Sequence, residues 1–267
     1  MNKRIVIVVG GGHAGVEAAS ASARMGCEVL LVTHKKDSIG QMSCNPAIGG
    51  IGKSHLAREV DALGGLMARA ADASGIHYRI LNSTKGQAVR ATRVQTDRSL
   101  YRKAIQNLLN ETEGVKIIEA SVEDLLIKKE QINGVVLEGG EKLKAEKVIL
   151  TTGTFLDGVM HTGPKREPGG RTGDPPSKRL AKKLKDLPFR YGRLKTGTPP
   201  RLDGRTIEWE GLEEQKGDKP TPKLSYEESN NKRPKQVSCY ITRTTEETHK
   251  IITDSLHESP LFTGAIE

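Results

Sequence analysis

The run RIVIVVGGGHAG, residues 4 to 15, constrains the fold more than any other stretch of the chain. RIVIVV is a short continuous apolar run rich in Ile and Val, the pattern of a strand buried on both faces of a parallel sheet. It passes directly into GxGxxG with Gly10, Gly12 and Gly15. VEAASASARMG then suits a helix that stops at Gly26, and EVLLVT begins a second strand. Strand, glycine turn, helix and strand within about thirty residues is the context in which this fingerprint holds a dinucleotide. Gly10 permits the tight turn, Gly12 lets backbone approach a pyrophosphate, and Gly15 allows close helix packing. Glycine-rich turns also occur for structural reasons alone, so the βαβ setting carries the reading. One usual part is absent: the second strand ends in Thr33, His34 and Lys35, where an acid would meet ribose hydroxyls.

Aromatic residues make up only 3% of the 267, so a core must rest on Val, Ile, Leu and Ala, which suits parallel sheet and helix. The length allows one large domain or two smaller ones. Three cysteines, Cys27, Cys44 and Cys239, cannot build a disulfide framework, and their odd number suits a reducing compartment. No apolar run approaches membrane-spanning length. The first strand begins within about four residues, which leaves no room for a signal peptide. A soluble, cytoplasmic protein is expected.

The formal charge of +9 is concentrated. Between Lys165 and Arg205 stand thirteen Lys or Arg against four acids, so the remainder of the chain balances to zero. A second stretch carries Arg79, Lys85, Arg90, Arg93, Arg98, Arg102 and Lys103 against Asp97 alone. Such clustering favours a polyanionic partner, RNA or a phosphate-bearing cofactor, over a small neutral one. The alternative is a solvated basic face.

The choice between NAD and FAD comes from downstream. KAEKVILTTGTFLDG, residues 144 to 158, reads as a buried strand ending in Thr151, Thr152 and Gly153, similar to the second signature of disulfide-reductase-like FAD proteins. Before it, VKIIEASVEDLLIKKEQINGVVLEGGEKL breaks at Asn133–Gly134 and Gly139–Gly140, as a three-stranded meander would. In that layout Val122 lies where strand backbone meets the adenine. The expected fold is α/β: a Rossmann-like FAD-binding domain with a parallel sheet and a β-meander over residues 1–156, and an inserted, basic α+β domain over 157–267.

SCNPAIGGIGKSHL, residues 43 to 56, fits a relaxed nucleotide P-loop in letters only. A P-loop needs a buried strand directly before its glycines, and DSIGQMSCNP is polar and broken by Gly40 and Pro46. The stretch instead reads as a loop into a helix, with Leu56, Val60 and Leu63 spaced as one apolar face and Gly64–Gly65 ending it. Cys44, close to a helix N-terminus and Lys53, has the setting of a thiolate. A buried inert cysteine is the other reading; polar neighbours and Pro46 speak against it. Cys27 and Cys239 read as packing residues.

GGGHAG, GQMSCNPAIGGIGK, REVDALGG, ATRVQTDR, TGTFLDG, GGRTGDPPS, GRLKTGTPPR and CYITRT follow one another in an order and spacing that resembles the glucose-inhibited division protein A (MnmG) family. Its members are tRNA uridine 5-carboxymethylaminomethyl modification enzymes. The resemblance covers essentially the whole chain. It implies FAD- and folate-dependent modification of the wobble uridine at carbon 5, with methylenetetrahydrofolate as one-carbon donor, NADH as reductant and a GTPase partner, MnmE. By position, Gly10, Gly11, Gly12, His13, Ala14, Gly15, Val122 and Ser177 match the family's FAD contacts, and Cys44 matches one of two functional cysteines. A thiolate there could add to carbon 6 of uracil and raise electron density at carbon 5. Ser177, after DPP and before KRLAKKLKDL, also reads simply as a helix N-cap.

After Gly158 the texture turns to Gly, Pro and basic residues, with a short strand around KQVSCYITRT and a helix over TEETHKIITDSLH. Arg171, Arg193, Lys195 and Arg201 are candidates for phosphate contacts with tRNA or folate. EEQKGDKPTPKLSYEESNNKRPKQ is the segment expected to move most. No His or Cys spacing suggests a metal. The family's second glycine-rich motif, second cysteine and helical domain for the GTPase would follow residue 267, so this stretch is expected to hold FAD weakly without turnover. A homodimer is expected by the same resemblance. Two other functions remain: an FAD oxidoreductase acting on a small molecule, and a non-catalytic RNA-binding module.

Overall fold

The computed structural model describes residues 4–42, 45–228 and 232–264. The chain divides into two units, Met1–Gly153 with Lys216–Cys239, and Thr154–Gln215 with Tyr240–Glu267.

In the first unit, β1 (Ile5–Val9) leads into α1 (His13–Arg24) and β2 (Glu28–Thr33). Next come β3 (Ala47–Gly49), α2 (Lys53–Ala62), α3 (Met67–Ser74), β4 (Gly75–Leu81), β5 (Ala91–Thr96) and α4 (Arg98–Asn110). The strands β6 (Val115–Glu119), β7 (Val122–Lys128), β8 (Gln131–Leu137), β9 (Lys142–Lys144) and β10 (Lys147–Leu150) follow. Four strands form a parallel sheet in the order β10-β1-β2-β6. Its central strand β1 pairs on both sides, Val8 opposite Leu31 and Ile149, so Ile7 and Val8 are fully buried. Continuous Ile and Val without polar alternation is what a strand covered on both faces requires. β7, β8 and β9 form an antiparallel meander of three, and β3-β5-β4 a second antiparallel sheet. This is the Rossmann-like α/β fold with a parallel sheet and meander that the sequence leads one to expect.

The core is aliphatic, with Val6, Val8, Val16, Val29, Leu31, Ile105 and Leu109 among its members. Two of the few aromatic side chains, Tyr78 and Tyr101, are its largest fully buried groups. α4 turns Tyr101, Ile105 and Leu109 inward, one residue per turn, and Asp97 caps its start by accepting the Leu100 N–H.

α2 faces the opposite way from the apolar spacing in its sequence. Leu56, Val60 and Leu63 are exposed, whereas Ser54, Ala57 and Asp61 are buried. The reason is Asp61, whose carboxylate accepts bonds from Ser225 Oγ at 2.8 Å and the Tyr226 N–H at 2.6 Å. Asp72 on α3 does the same for the N–H groups of Leu224 and Ser225. Burial pushes the Asp72 carboxyl above its usual range, while those two donors and the Arg233 charge pull it back.

The segment expected to be the most mobile is therefore, over much of its length, an anchored strap. Leu224 is fully buried, a burial that stabilises by about 1.5–3 kcal/mol. Asp218 N–H bonds to the Tyr78 carbonyl, the Asp218 carboxylate accepts the Ile80 N–H, and Val237 N–H bonds to the Ile76 carbonyl. These bonds run along the free edge of β4. Whereas the sequence reading assigns all of 157–267 to the insert, the chain crosses between Gly153 and Thr154, and Lys216–Cys239 returns to the first unit.

In the second unit, β11 (Val159–Thr162) and β12 (Lys165–Pro168) form a hairpin, followed by α5 (Lys178–Lys185). β13 (Glu213–Gln215) pairs with β14 (Cys239–Ile241), and α6 (Glu246–Asp254) starts at a Thr245–Thr248 capping box. Residues 190 to 203 carry no regular structure. Among the described residues no helix is long and apolar enough to cross a membrane.

Candidate functional site

The turn Gly10–Gly15 sits at the carboxyl end of β1, between β2 and β10. Gly10 has φ +110°, a conformation that side chains rarely adopt, and a β-carbon there would collide with the Thr151 carbonyl oxygen. A β-carbon on Gly15 would fall on the Gly10 oxygen. Gly11 is hemmed in by Ile39 and Thr33 side chains. Gly12 differs: nothing lies within 4 Å of where its β-carbon would stand. Three glycines thus serve the protein's own packing, and the fourth opens onto free space.

Thr151, directly after β10, pins the turn: its N–H bonds to the Val9 carbonyl at 2.9 Å, and its Oγ1 donates to the Val9 and Gly10 carbonyls. The loop after β2 closes the other side through the Gly40 N–H, which donates to the Gly11 carbonyl at 3.0 Å. α1 begins at Gly12 with no side-chain cap and no acid in its first turn. Its leading N–H groups have no acceptor within the helix, so the positive end of the helix faces the opening unneutralised. An anionic group fits that cradle.

His13 and Ala14 occupy the first two positions of α1, Ala14 exposed and His13 half-buried. Burial lowers the His13 pKa below its ordinary value of 6.5, and its Nδ1 lies 3.3 Å from the Tyr101 hydroxyl. The end of β2 lacks an acid of its own. Glu119, at the end of the neighbouring β6 and in register with Thr33, brings a carboxylate there, which accepts the Lys36 N–H at 2.7 Å.

Val122 is the first residue of β7 and is buried, opposite Leu137. Ser177 stands at the N-cap of α5 in the second unit, but its side chain makes no capping bond; its N–H donates to the Phe155 carbonyl at 2.8 Å. Cys44 lies outside the described residues. On either side of 43–44, Met42 Sδ and the Pro46 carbonyl both bond to Thr96 at the end of β5. Residues 47–49, which a P-loop would bend around phosphate, instead form β3, paired with β5. Cys27 and Cys239 are half-buried, and Cys239 Sγ accepts the Gln95 amide N–H at 3.0 Å.

Of the candidate basic residues, Arg171 is held by Asp174 at 2.6 Å over the Phe155 ring, and Arg193 reaches the Asp157 carbonyl. Lys195 and Arg201 are exposed. Among the described residues, no three His, Cys, Asp or Glu side chains gather as a metal site. Tyr101 is a residue that sequence reasoning misses. The i, i+4, i+8 spacing of Tyr101, Ile105 and Leu109 marks it as inward-facing, but nothing local links it to His13.

The family model described as glucose inhibited division protein A matches residues 5–267. Two crystal forms of Aquifex aeolicus GidA are similar to this chain. Form II has 45% identity and a TM-score of 0.90 over 96% of this chain, and form I has 44% identity and a TM-score of 0.92 over 100% of it. The chain spans only 44% and 45%, respectively, of those two proteins. A GidA-related protein from Thermus thermophilus shares the fold at 22% identity, with a TM-score of 0.52 over 71% of this chain and 70% of its own. The match along nearly the whole sequence, together with the same fold at more than 40% identity, shows that the chain belongs to the glucose-inhibited division protein A family.

Proposed function

We propose that this chain carries the FAD-binding part of a flavoenzyme that modifies tRNA. The observation that carries the reading is the opening at Gly12: a sterically empty turn, held rigid by Thr151 and facing an uncapped helix start. In this reading the N–H groups of His13, Ala14 and Gly15 receive the pyrophosphate, and Gly10 and Gly11 shape the turn beneath it. Val122 borders the adenine. FAD, when bound, would supply the redox chemistry of the one-carbon transfer.

The substrate proposed is the wobble uridine of tRNA, altered at carbon 5, with methylenetetrahydrofolate as carbon donor and NADH as reductant. Cys44 acts as the nucleophile. Its sulfur bonds to carbon 6 of the uracil, and the electron density displaced to carbon 5 attacks the methylene carbon of the folate donor, one C–N electron pair of which returns to the folate nitrogen. Loss of the carbon-5 proton then expels the sulfur and restores the ring double bond. The GTPase partner and a homodimer belong to the same proposal, as does a cytoplasmic location. The concentration of positive charge between Lys165 and Arg205 supports RNA over a small-molecule substrate.

Titration of the purified chain with FAD, followed by flavin fluorescence, tests the cofactor. Binding that disappears in Gly12→Val while the fold persists is expected; equal binding by both forms would overturn the site. For the reaction, loss of wobble-uridine modification in Cys44→Ser of the whole enzyme is expected, and undiminished modification would remove the cysteine from the mechanism.

A further inference from the structure

The glycine turn carries one titratable ring, His13, and a buried phenol on a distant helix bonds to it. Tyr101 Oη and His13 Nδ1 are 3.3 Å apart, with the rings edge to face at a centroid distance of 5.6 Å. Tyr101 is fully buried. Burial, and secondarily the Glu17 charge, raise its pKa far above the usual phenol value, so the hydroxyl keeps its proton throughout the physiological range. Burial lowers that of His13, so the imidazole is neutral near pH 7.

A neutral imidazole has one N–H and one bare nitrogen, and either could face the phenol. The cost of an unmade bond decides. If Nδ1 carried the proton it would donate to the phenol oxygen, and the phenol O–H would be left in a dry interior without an acceptor. Among the described residues Tyr101 meets no acceptor other than His13. A buried donor left unpaired costs more than an oxygen lone pair left empty. The hydroxyl therefore donates to Nδ1, and the ring proton resides on Nε2, on the side of the ring away from Tyr101.

We propose that Tyr101 is a positioning residue that fixes His13 as the Nε2–H tautomer, making it a neutral, directional donor to a phosphate-ester oxygen at the head of α1. The inference rests on the reading of the glycine turn as the FAD site. It adds a side-chain donor to the backbone N–H groups there, set by a helix 88 residues away in sequence. A neutral donor keeps its direction without the cost of burying an imidazolium at the positive end of a helix.

The test has two readouts. Long-range proton–nitrogen spectra of the chain labelled at histidine nitrogens, taken without FAD and assigned with His13→Gln, report the tautomer directly. A bare Nδ1 and protonated Nε2 are expected in the wild type, shifting towards the other tautomer in Tyr101→Phe. A wild-type Nδ1–H, or a tautomer unchanged in Tyr101→Phe, overturns the proposal. FAD titration should then show Tyr101→Phe weakened by roughly threefold to tenfold, the worth of one hydrogen bond. His13→Gln, whose amide nitrogen can stand in for Nε2–H, should become insensitive to Tyr101→Phe. Circular dichroism and melting confirm that the variants fold, and the wild-type spectrum decides the tautomer even if Tyr101→Phe does not. Absence of any FAD binding by the wild type would sink the flavin reading and the donor role together. Binding unaffected by Tyr101→Phe would sink the donor role alone.

Discussion

Gly12 and Gly15 look alike in the fingerprint but differ in what their missing side chains make room for. Gly15→Ala would drive a β-carbon into the Gly10 carbonyl, so it should destabilise the fold by about 1–3 kcal/mol or more in urea unfolding. Gly12→Ala meets nothing and has an ordinary φ of −76°, so stability should change by no more than about 0.5 kcal/mol. Its FAD affinity should fall nonetheless, because the added methyl occupies the cradle. The same turn carries a pH dependence. The His13 pKa is lowered on folding from 6.5, so below pH 6.5 the unfolded chain takes up the proton first. The stability present above that pH is then progressively lost as pH falls towards the lowered native value. His13→Gln should flatten that part of the stability profile.

Between residues and the molecule, α2 and the strap show where a periodic pattern misleads. The spacing of Leu56, Val60 and Leu63 is helical, and the helix exists, yet its apolar stripe faces outward. Leu56→Ser should therefore alter stability by less than about 0.5 kcal/mol. Ala57→Leu, on the buried side, should cost about 1–3 kcal/mol by overpacking. Asp72→Ala would leave the N–H groups of Leu224 and Ser225 without their acceptor, at about 1–3 kcal/mol each. Limited proteolysis should then cut between residues 216 and 239 faster than in the wild type. The strap reads as loop in the sequence because its composition is polar and rich in Pro. What holds it is a pair of carboxylates more than 150 residues earlier, and no window of adjacent residues contains both halves of that bond.

At the scale of the whole molecule, the densest basic run, Lys165 to Arg205, lies in the second unit and the glycine turn in the first. If the two serve different ligands, their responses should separate. Binding of tRNA should weaken by on the order of tenfold between 50 and 200 mM salt. Lys182→Glu on α5 should weaken it further, as read by filter binding, with no change in FAD affinity. Alone, the sequence determined the βαβ start, the meander, the roles open to each glycine and the family. All of these depend on contiguous residues, whose periodicity and backbone freedom are local properties. Only the tertiary structure decided which face of α2 is buried, that 216–239 belongs with the first unit, that Glu119 stands at the end of β2, and that Tyr101 meets His13. Glu119 is placed by the register of β6 on β2; the others follow from burying polar groups, which is tolerable only beside a partner, and the partners here are remote in sequence.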